Sequence, residues 1–312
     1  MILWLSRLQA FLVATAFYPW IVGAAVTPRW AVASLSVYFM TPLAFLFCVY
    51  CFAVLPVDAA VKWSIVAGAF SFGTRLNNEH IRAIILAFAA GVSISGLLAV
   101  YQWQGGDWVP QAVSPAGLFV NKNYLGEAAV LALVAMGMIR QKYLPVSSFR
   151  AWLVVGCLTA VVLSTSRASW LALFVAGVLV TFRPWTRLRT LLVFGLFGVL
   201  IIVMAEYGGL NSMAQRLELW RSGVLEFRWF GAGAPLEPLH NEFLQVVYEL
   251  GLGAAVPLGA GWFVAYRNPG ALPFVVAVAI IATFGFPLHM PATAWFIAVI
   301  AGHLVVDKRL PS

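Results

Sequence analysis

Between Asn211 and Gly251 the chain gathers Arg216, Glu218, Arg221, Glu226, Arg228, Glu237, His240, Glu242 and Glu249, although only 10% of its residues are charged and 62% are hydrophobic. Polar side chains concentrated against the overall composition mark the stretch where chemistry is expected. Guanidinium groups bind phosphate oxygens bidentately and stay charged at any biological pH. Several of them beside one histidine at the mouth of an apolar segment suit an anionic lipid. A lipid diphosphate would set its tail in the bilayer and its head among these residues. Missing residues narrow the chemistry further. The three aspartates, Asp58, Asp107 and Asp307, lie far apart in the sequence, so no Asp-x-Asp pair exists to hold a divalent metal for a nucleotide-sugar donor. Nor is there a Gly-x-x-x-x-Gly-Lys-Ser/Thr phosphate loop, which argues against an ATP-driven pump. A transferase built on this chain would stabilise its leaving phosphate with arginines, and no metal or other cofactor is expected.

Two elements must hold these groups. Met213, Leu217, Trp220, Val224 and Phe227 recur at alternating spacings of four and three, which puts them on one face of a helix with Arg216 and Arg221 on opposite flanks. Such a helix suits a membrane interface, where arginines reach into the headgroup layer. A turn-forming run from Gly231 to Pro238 leads to His240-Asn241 and then to an apolar pattern that extends to Ala265. Glu242, Gln245 and Glu249 share one arc of this second helix, a polar strip about 10 Å long at about 1.5 Å per residue. A carboxylate near the centre of a membrane helix costs about 2.5 to 3.5 kcal/mol on insertion scales, so Glu249 is expected to be buried in protein and to have a role.

Apolar runs of about 20 residues, enough to cross a hydrocarbon core of roughly 30 Å, recur along the whole chain. The sequence of 312 residues has no polar linker. It predicts an all-α, polytopic integral membrane helical bundle, a single domain over 1–312 with ten or eleven transmembrane helices. Spans are expected near 8–26, 31–55, 83–104, 123–139, 150–165, 168–182, 188–206, 243–266, 271–287 and 290–306. Segment 58–82, whose apolar core from Trp63 to Phe72 is short for a crossing, decides between ten and eleven.

With both termini cytoplasmic and 58–82 not crossing, the inner side carries Arg7, Lys62, Arg75, Arg82, Arg140, Lys142, Arg150, Arg183, Arg187, Arg189, Arg267, Lys308 and Arg309, which is 13 of the 19 Lys and Arg. That satisfies the positive-inside rule and makes the loop 207–242 extracytoplasmic. The net charge of +8 is then loop bias rather than a nucleic-acid surface. Cys48, Cys51 and Cys157 all lie in apolar runs and read as small buried hydrophobes before a Cys48-x-x-Cys51 redox pair. The first apolar run continues through Val26 with only Arg7 ahead of it, so it reads as a span rather than a signal peptide.

Arg29, Lys122, Arg167, Arg216, Arg221 and Arg228 remain outside, and all but Arg29 fall in three motif-like segments. The first, Ala116-Gly-Leu-Phe-Val-Asn-Lys-Asn-Tyr-Leu-Gly-Glu127, enters a span with Asn121 and Asn123 as candidate caps. Lys122 either meets an anion at the positive end of that helix or simply reaches the headgroups. In the second, Leu163-Ser-Thr-Ser-Arg-Ala-Ser-Trp170, Arg167 is either an interfacial anchor or the partner of an anionic ligand. The third is the opening stretch, where Arg228 is the weakest candidate. His80, His289 and His303 are isolated in sequence and read as hydrogen-bonded or interfacial histidines; Asp107 and Glu206 read as solvated carboxylates at span ends.

His240-Asn241-x-Phe243-Leu244-x-x-x-x-Glu249-x-Gly251, preceded by Arg216-x-x-x-Trp220 and Gly231-x-Gly233, resembles the signature of the O-antigen ligase and O-antigen polymerase superfamily. Gly117-x-Phe119-x-Asn121-x-Asn123 and Ser166-Arg167-Ala168 look like two further motifs of that family, in the expected order. The resemblance covers about 116 to 253, and the first hundred residues match only in being hydrophobic. It implies a metal-independent, inverting glycosyltransferase of the bacterial inner membrane. Such an enzyme moves a glycan from undecaprenyl diphosphate to an acceptor hydroxyl on lipid A-core, a growing O-antigen chain or a protein, with 207–242 as the periplasmic loop carrying the active site. Carried onto this chain, the family's roles give Arg167, Arg216 and Arg221 to the donor diphosphate. His240 acts on the acceptor hydroxyl, as general base or by orienting it, with Glu249, Lys122, Asn121, Asn123 and Asn241 in support. The chain is shorter than most members and its outer loop is compact. A transporter or flippase for a lipid-linked or anionic solute is the alternative, with the arginines forming a binding site rather than a reaction centre.

Overall fold

The computed structural model describes residues 2–15, 26–106, 114–119, 121–139, 148–181, 210–233, 239–285 and 287–306. The span expected at 188–206 lies outside them, as do Asp107, Glu206, Glu237 and Asp307. Among the described residues the fold is all helical: α1 (Ile2–Thr15), α2 (Val26–Ser34), α3 (Pro42–Val54), α4 (Val57–Gly73), α5 (Asn78–Trp103), α6 (Lys122–Met138), α7 (Ser148–Ser164), α8 (Arg167–Thr181), α9 (Leu210–Leu225), α10 (Glu242–Leu250), α11 (Ala255–Arg267), α12 (Leu272–Phe284) and α13 (Pro291–Val306). Two stretches, Asn78–Trp103 and Glu242–Arg267, are long and apolar enough to cross a membrane, and several other apolar helices are shorter. Helices stand where spans were expected at 83–104, 123–139, 150–165, 168–182, 243–266, 271–287 and 290–306, and α9 is the short helix expected within 207–242.

The helices share a core in which Phe88 of α5 stacks on Phe296 of α13 with ring centroids 4.1 Å apart. Fully buried Ile81, Ile84, Ile85, Leu125, Leu131 and Trp295 pack into the same cluster. Helices α4 and α13 run side by side in one direction. Near their starts Trp63 stands against His289, centroids 5.7 Å apart, and beyond their ends His303 meets the Leu76 carbonyl at 3.1 Å. The bundle therefore has two ends. One carries His289 and the starts of α4 and α13; the other carries Leu76, His303 and Asn268, which donates to the Leu304 carbonyl at 2.5 Å.

The structure corrects the expectation of a single span over 31–55. The chain instead passes from α2 through a 3-10 turn, Leu35–Phe39, and restarts as α3. Thr41 is extended at φ −84 and ψ 160, its side chain accepts from the Ala44 N–H, and Pro42 holds the first helical position. Proline pushes the preceding residue out of the helical region and is preorganised to begin a helix, so Thr41-Pro42 is both a stop and a start. The buried Ser36 hydroxyl inside the 3-10 turn accepts from Gln9 at 3.0 Å and from Trp295 at 2.9 Å, which satisfies the polar groups of the irregular stretch.

Segment 58–82, left undecided by its sequence, divides between α4, a helix of 17 residues that ends at Gly73, and the start of α5 at Asn78. The Thr41 N–H donates to Ser71 near the end of α4 at 3.2 Å, so α3 and α4 are antiparallel. Two segments replace one before α4 and α4 itself runs the length of the bundle, so the directions expected for α5 and later helices are unchanged. Lys62, expected at the other end, instead lies near the start of α4 with Asp58, 3.6 Å away.

Candidate functional site

The site is built at the end of the bundle where α5 hands over to α6. Gln102, in the last turn of α5, accepts from the Ala116 N–H at 3.0 Å and the Gly117 N–H at 2.7 Å, and donates to the Gly117 carbonyl at 3.0 Å. Arg29 donates to the Leu118 carbonyl at 2.8 Å and lays its guanidinium over the Phe119 ring, 4.0 Å from the centroid. Arg29 was the outer cation with no motif of its own. Its place is behind the Gly117 loop, supporting it. Gly117 has φ +58, and a Cβ there would fall 1.9 Å from the Ser95 carbonyl oxygen. Gly117→Ala should therefore cost at least the roughly 1–3 kcal/mol of a strained backbone position. Thermal unfolding of the detergent-solubilised variant should show a clear drop. Gly259→Ala, in α11 with open space around it, should not fall, and equal behaviour of the two would contradict the loop's tight fit.

This loop delivers Asn121 as the N-cap of α6, its side chain accepting from the Asn123 N–H at 2.9 Å. Asn123 itself is exposed. From the next position Lys122 reaches the Thr165 hydroxyl at 2.8 Å, which joins the first motif segment to the second. Thr165 takes φ +49 in the turn between α7 and α8. The Ser166 hydroxyl then accepts from the Ser169 N–H at 3.4 Å, so α8 begins with Arg167 in its first turn.

The third segment closes over this end. In α9, Trp220 donates its indole N–H to the Leu239 carbonyl at 2.8 Å. Of the stripe expected on one face of this helix, Trp220 turns inward, while Leu217 and Val224 are exposed, at 53% and 59%. Arg216 is half-buried, whereas Arg221 is exposed and, five residues on at about 100° per residue, faces away from Arg216. Burial, and after it the positive charge of Arg167, lowers the affinity of Arg216 for its proton. Burial and then the charge of Arg216 lower that of His240 below its usual 6.5. The charge of Arg167 thus acts on Arg216, and that of Arg216 on His240. The backbone of His240 is left-handed at φ +51, a conformation that a non-glycine residue keeps only when its surroundings impose it.

Asn241 is the N-cap of α10, its side chain accepting from the Leu244 N–H at 3.2 Å. The expected arc of Glu242, Gln245 and Glu249 is buried, at 2%, 6% and 2% exposure. Its main partner is His289, which the sequence left isolated. One ring nitrogen lies 2.8 Å from Glu242 and the other 3.0 Å from both oxygens of Glu249. Trp63 donates to Glu249 at 3.1 Å, Gln245 donates to it at 3.0 Å, and the Leu288 N–H donates to Glu242 at 2.8 Å. Burial alone would lower the pKa of His289, but the charge and hydrogen bond of Glu242, joined by those of Glu249, raise it to about 10. A protonated ring donating from both nitrogens keeps no lone pair for a metal, so the cluster is an ion-paired lock.

Two glycines fix the far end of α10. Gly231 at φ +86 would put a Cβ 2.0 Å from the Glu249 carbonyl oxygen, and Gly251 at φ +53 would put one 2.3 Å from that of Trp229. The backbones meet there: the Ala232 N–H donates to Tyr248 and the Leu252 N–H to Trp229, both at 2.8 Å. Arg228 lines an open hollow of about 360 Å³ with Glu226, Phe227 and Tyr248.

No family model matches this chain, and no curated protein matches it. At one end of the bundle Lys122 meets Thr165, two residues before Arg167, while the charge of Arg167 acts on Arg216 and that of Arg216 on His240. Asn121 and Asn241 act as helix caps there, Glu249 is locked beneath, and Arg221, Arg228 and Asn123 are exposed. The arrangement offers positive charge for an anion and, beside it, an imidazole biased toward its neutral form.

Proposed function

We propose that this protein is a polytopic membrane glycosyltransferase of the O-antigen ligase or polymerase type, acting on a polyprenyl-diphosphate glycan at the extracytoplasmic, periplasmic face of a bacterial inner membrane. The observation that carries the proposal is the succession Arg167, Arg216, His240: two guanidiniums whose charges repel, next to a half-buried histidine that resists protonation. Among the described residues no carboxylate pairs with Arg216. A lipid diphosphate would relieve the repulsion, and its leaving charge would be held by the same groups without rearrangement. The motif resemblance supplies the donor class. The apolar helices supply the membrane.

In the reaction the acceptor oxygen attacks the anomeric carbon, and its proton passes to the neutral imidazole of His240. The bond from that carbon to the diphosphate oxygen breaks, and the electron pair leaves with the lipid diphosphate between Arg167 and Arg216. Attack opposite the leaving group inverts the anomeric centre. Lys122, tied to Thr165, adds positive charge at the rim.

Donor binding tests the arginines. Arg167→Ala and Arg216→Ala should each weaken binding of a polyprenyl-diphosphate analogue by roughly tenfold to a hundredfold, as loss of a charge-assisted contact of about 1.5–3 kcal/mol requires. Unchanged binding in both variants would refute the assignment.

A pH profile tests their effect on the histidine. Positive charge and burial oppose protonation, so the base form of His240 persists as pH falls past 6.5. Transfer should decline with a midpoint below that value, and Arg216→Gln should move the midpoint upward. A midpoint indifferent to Arg216 would separate the two residues functionally.

A further inference from the structure

His240 occupies an unfavourable backbone conformation, and the chain on its N-terminal side shows what imposes it. Leu239, buried at 3% exposure, is gripped through both of its peptide groups. Its N–H donates to the Gln245 side chain at 3.3 Å, and its carbonyl, which belongs to the peptide leading into His240, accepts the Trp220 indole N–H at 2.8 Å. Gln245 spends its own amide N–H on Glu249 at 3.0 Å, and Glu249 is held by His289 and Trp63. The grip is anchored in the ion-paired lock under α10 on one side and in the arginine-bearing helix α9 on the other.

We infer that Gln245 and Trp220 are positioning residues that clamp the peptide groups of Leu239 and so fix where the His240 imidazole stands. This rests on the glycosyltransferase reading for its catalytic meaning, though not for the clamp itself. Trp220 lies four residues after Arg216, one turn along α9. The contact thus sets the histidine relative to the helix that presents an arginine, so losing it displaces the proton acceptor and leaves the diphosphate-binding group in place. A mutual displacement of about 1 Å between reacting groups can cost about a hundredfold in rate.

The test uses the full chain in nanodiscs with ¹⁵N-labelled histidine rings. The sequence has four histidines, so the His240 signal is identified by its loss in His240→Ala. Gln245→Ala should shift or broaden that signal while leaving the His303 signal in place. Trp220→Phe, which removes the other half of the clamp from a loop helix outside the buried cluster, should do the same and decides the matter should Gln245→Ala fail to fold. With a polyprenyl-diphosphate glycan and an alcohol acceptor, each variant should lose tenfold to a hundredfold in kcat with the donor KM unchanged. Neither should lose more in a His240→Ala background, since a residue acting through another has nothing left to act on. An unmoved His240 signal in Trp220→Phe, or losses that add to that of His240→Ala, would overturn the clamp. A signal that moves in a chain showing no transfer would uphold the clamp and overturn the reading of function.

Discussion

His240→Ala should lower glycan transfer by roughly 10² to 10⁴-fold, the range in which a positioned acid or base contributes, with donor binding nearly unchanged. The separation of the two effects follows from the layout. The diphosphate is assigned to Arg167 and Arg216, whereas His240 is assigned to the acceptor proton. Helix α10 begins after His240, with Asn241 as its cap, so the substitution removes an imidazole without removing the cap. The left-handed backbone at φ +51 is kept, and histidine and alanine both carry the Cβ that makes it unfavourable. The folded amount should therefore be similar to wild type. Transfer at the wild-type rate would take His240 out of the mechanism, and parallel loss of donor binding and transfer would make it a binding residue instead.

The second large effect concerns stability. His289→Ala leaves Glu242 and Glu249, each 2% exposed, without the cation between them. Breaking a buried ion pair by removing one partner costs about 3–5 kcal/mol, a large share of the 5–15 kcal/mol typical of a whole domain. Unfolding in detergent should come many degrees earlier, and His289→Lys should recover part of the loss by restoring a positive charge. The sign of the pH effect is fixed by the same contacts. The folded pKa of His289 is raised to about 10, so its contribution is fully present below the unfolded value of about 6.5 and is lost as pH climbs toward 10. Wild-type stability should decline over that interval and the decline should be smaller in His289→Ala. A variant as stable as wild type would mean the three side chains are not an ion-paired unit.

Much of the helical layout could be read from apolar run length, because about 20 apolar residues have few other uses. Where it failed, the reason is visible. Thr41-Pro42 is a sequence-level helix boundary, yet it lies inside an unbroken apolar stretch, and hydropathy does not register a cap. For α4, the apolar core from Trp63 to Phe72 is short and interrupted by Ser64 and Ser71, yet the helix extends over 17 residues, and both hydroxyls fold back onto carbonyls four residues earlier. Asn121 was legible as a cap because a cap bonds within three residues of itself, whereas Asn241, which caps α10, is given only a supporting role by the motif resemblance. His289 was not legible, since its carboxylates lie 47 and 40 positions away. Nor was Arg29, which supports a carbonyl 89 positions on. One half of that lock did leave a trace: two carboxylates at Glu242 and Glu249, seven residues apart on one arc, required a partner that the sequence could not name.

On the proposed mechanism two arginines hold a departing lipid diphosphate while a neighbouring histidine takes the acceptor proton. This is tested most directly by reconstituting the purified chain in liposomes with a polyprenyl-diphosphate glycan and a panel of hydroxyl acceptors, and measuring released lipid diphosphate against glycosylated product. Wild type should form equal amounts of the two with a chelator present and with inverted stereochemistry at the new linkage, and His240→Ala should lose nearly all of both. Lipid-linked glycan that crosses the bilayer intact, with neither lipid diphosphate nor product appearing, would contradict it and make the protein a transporter.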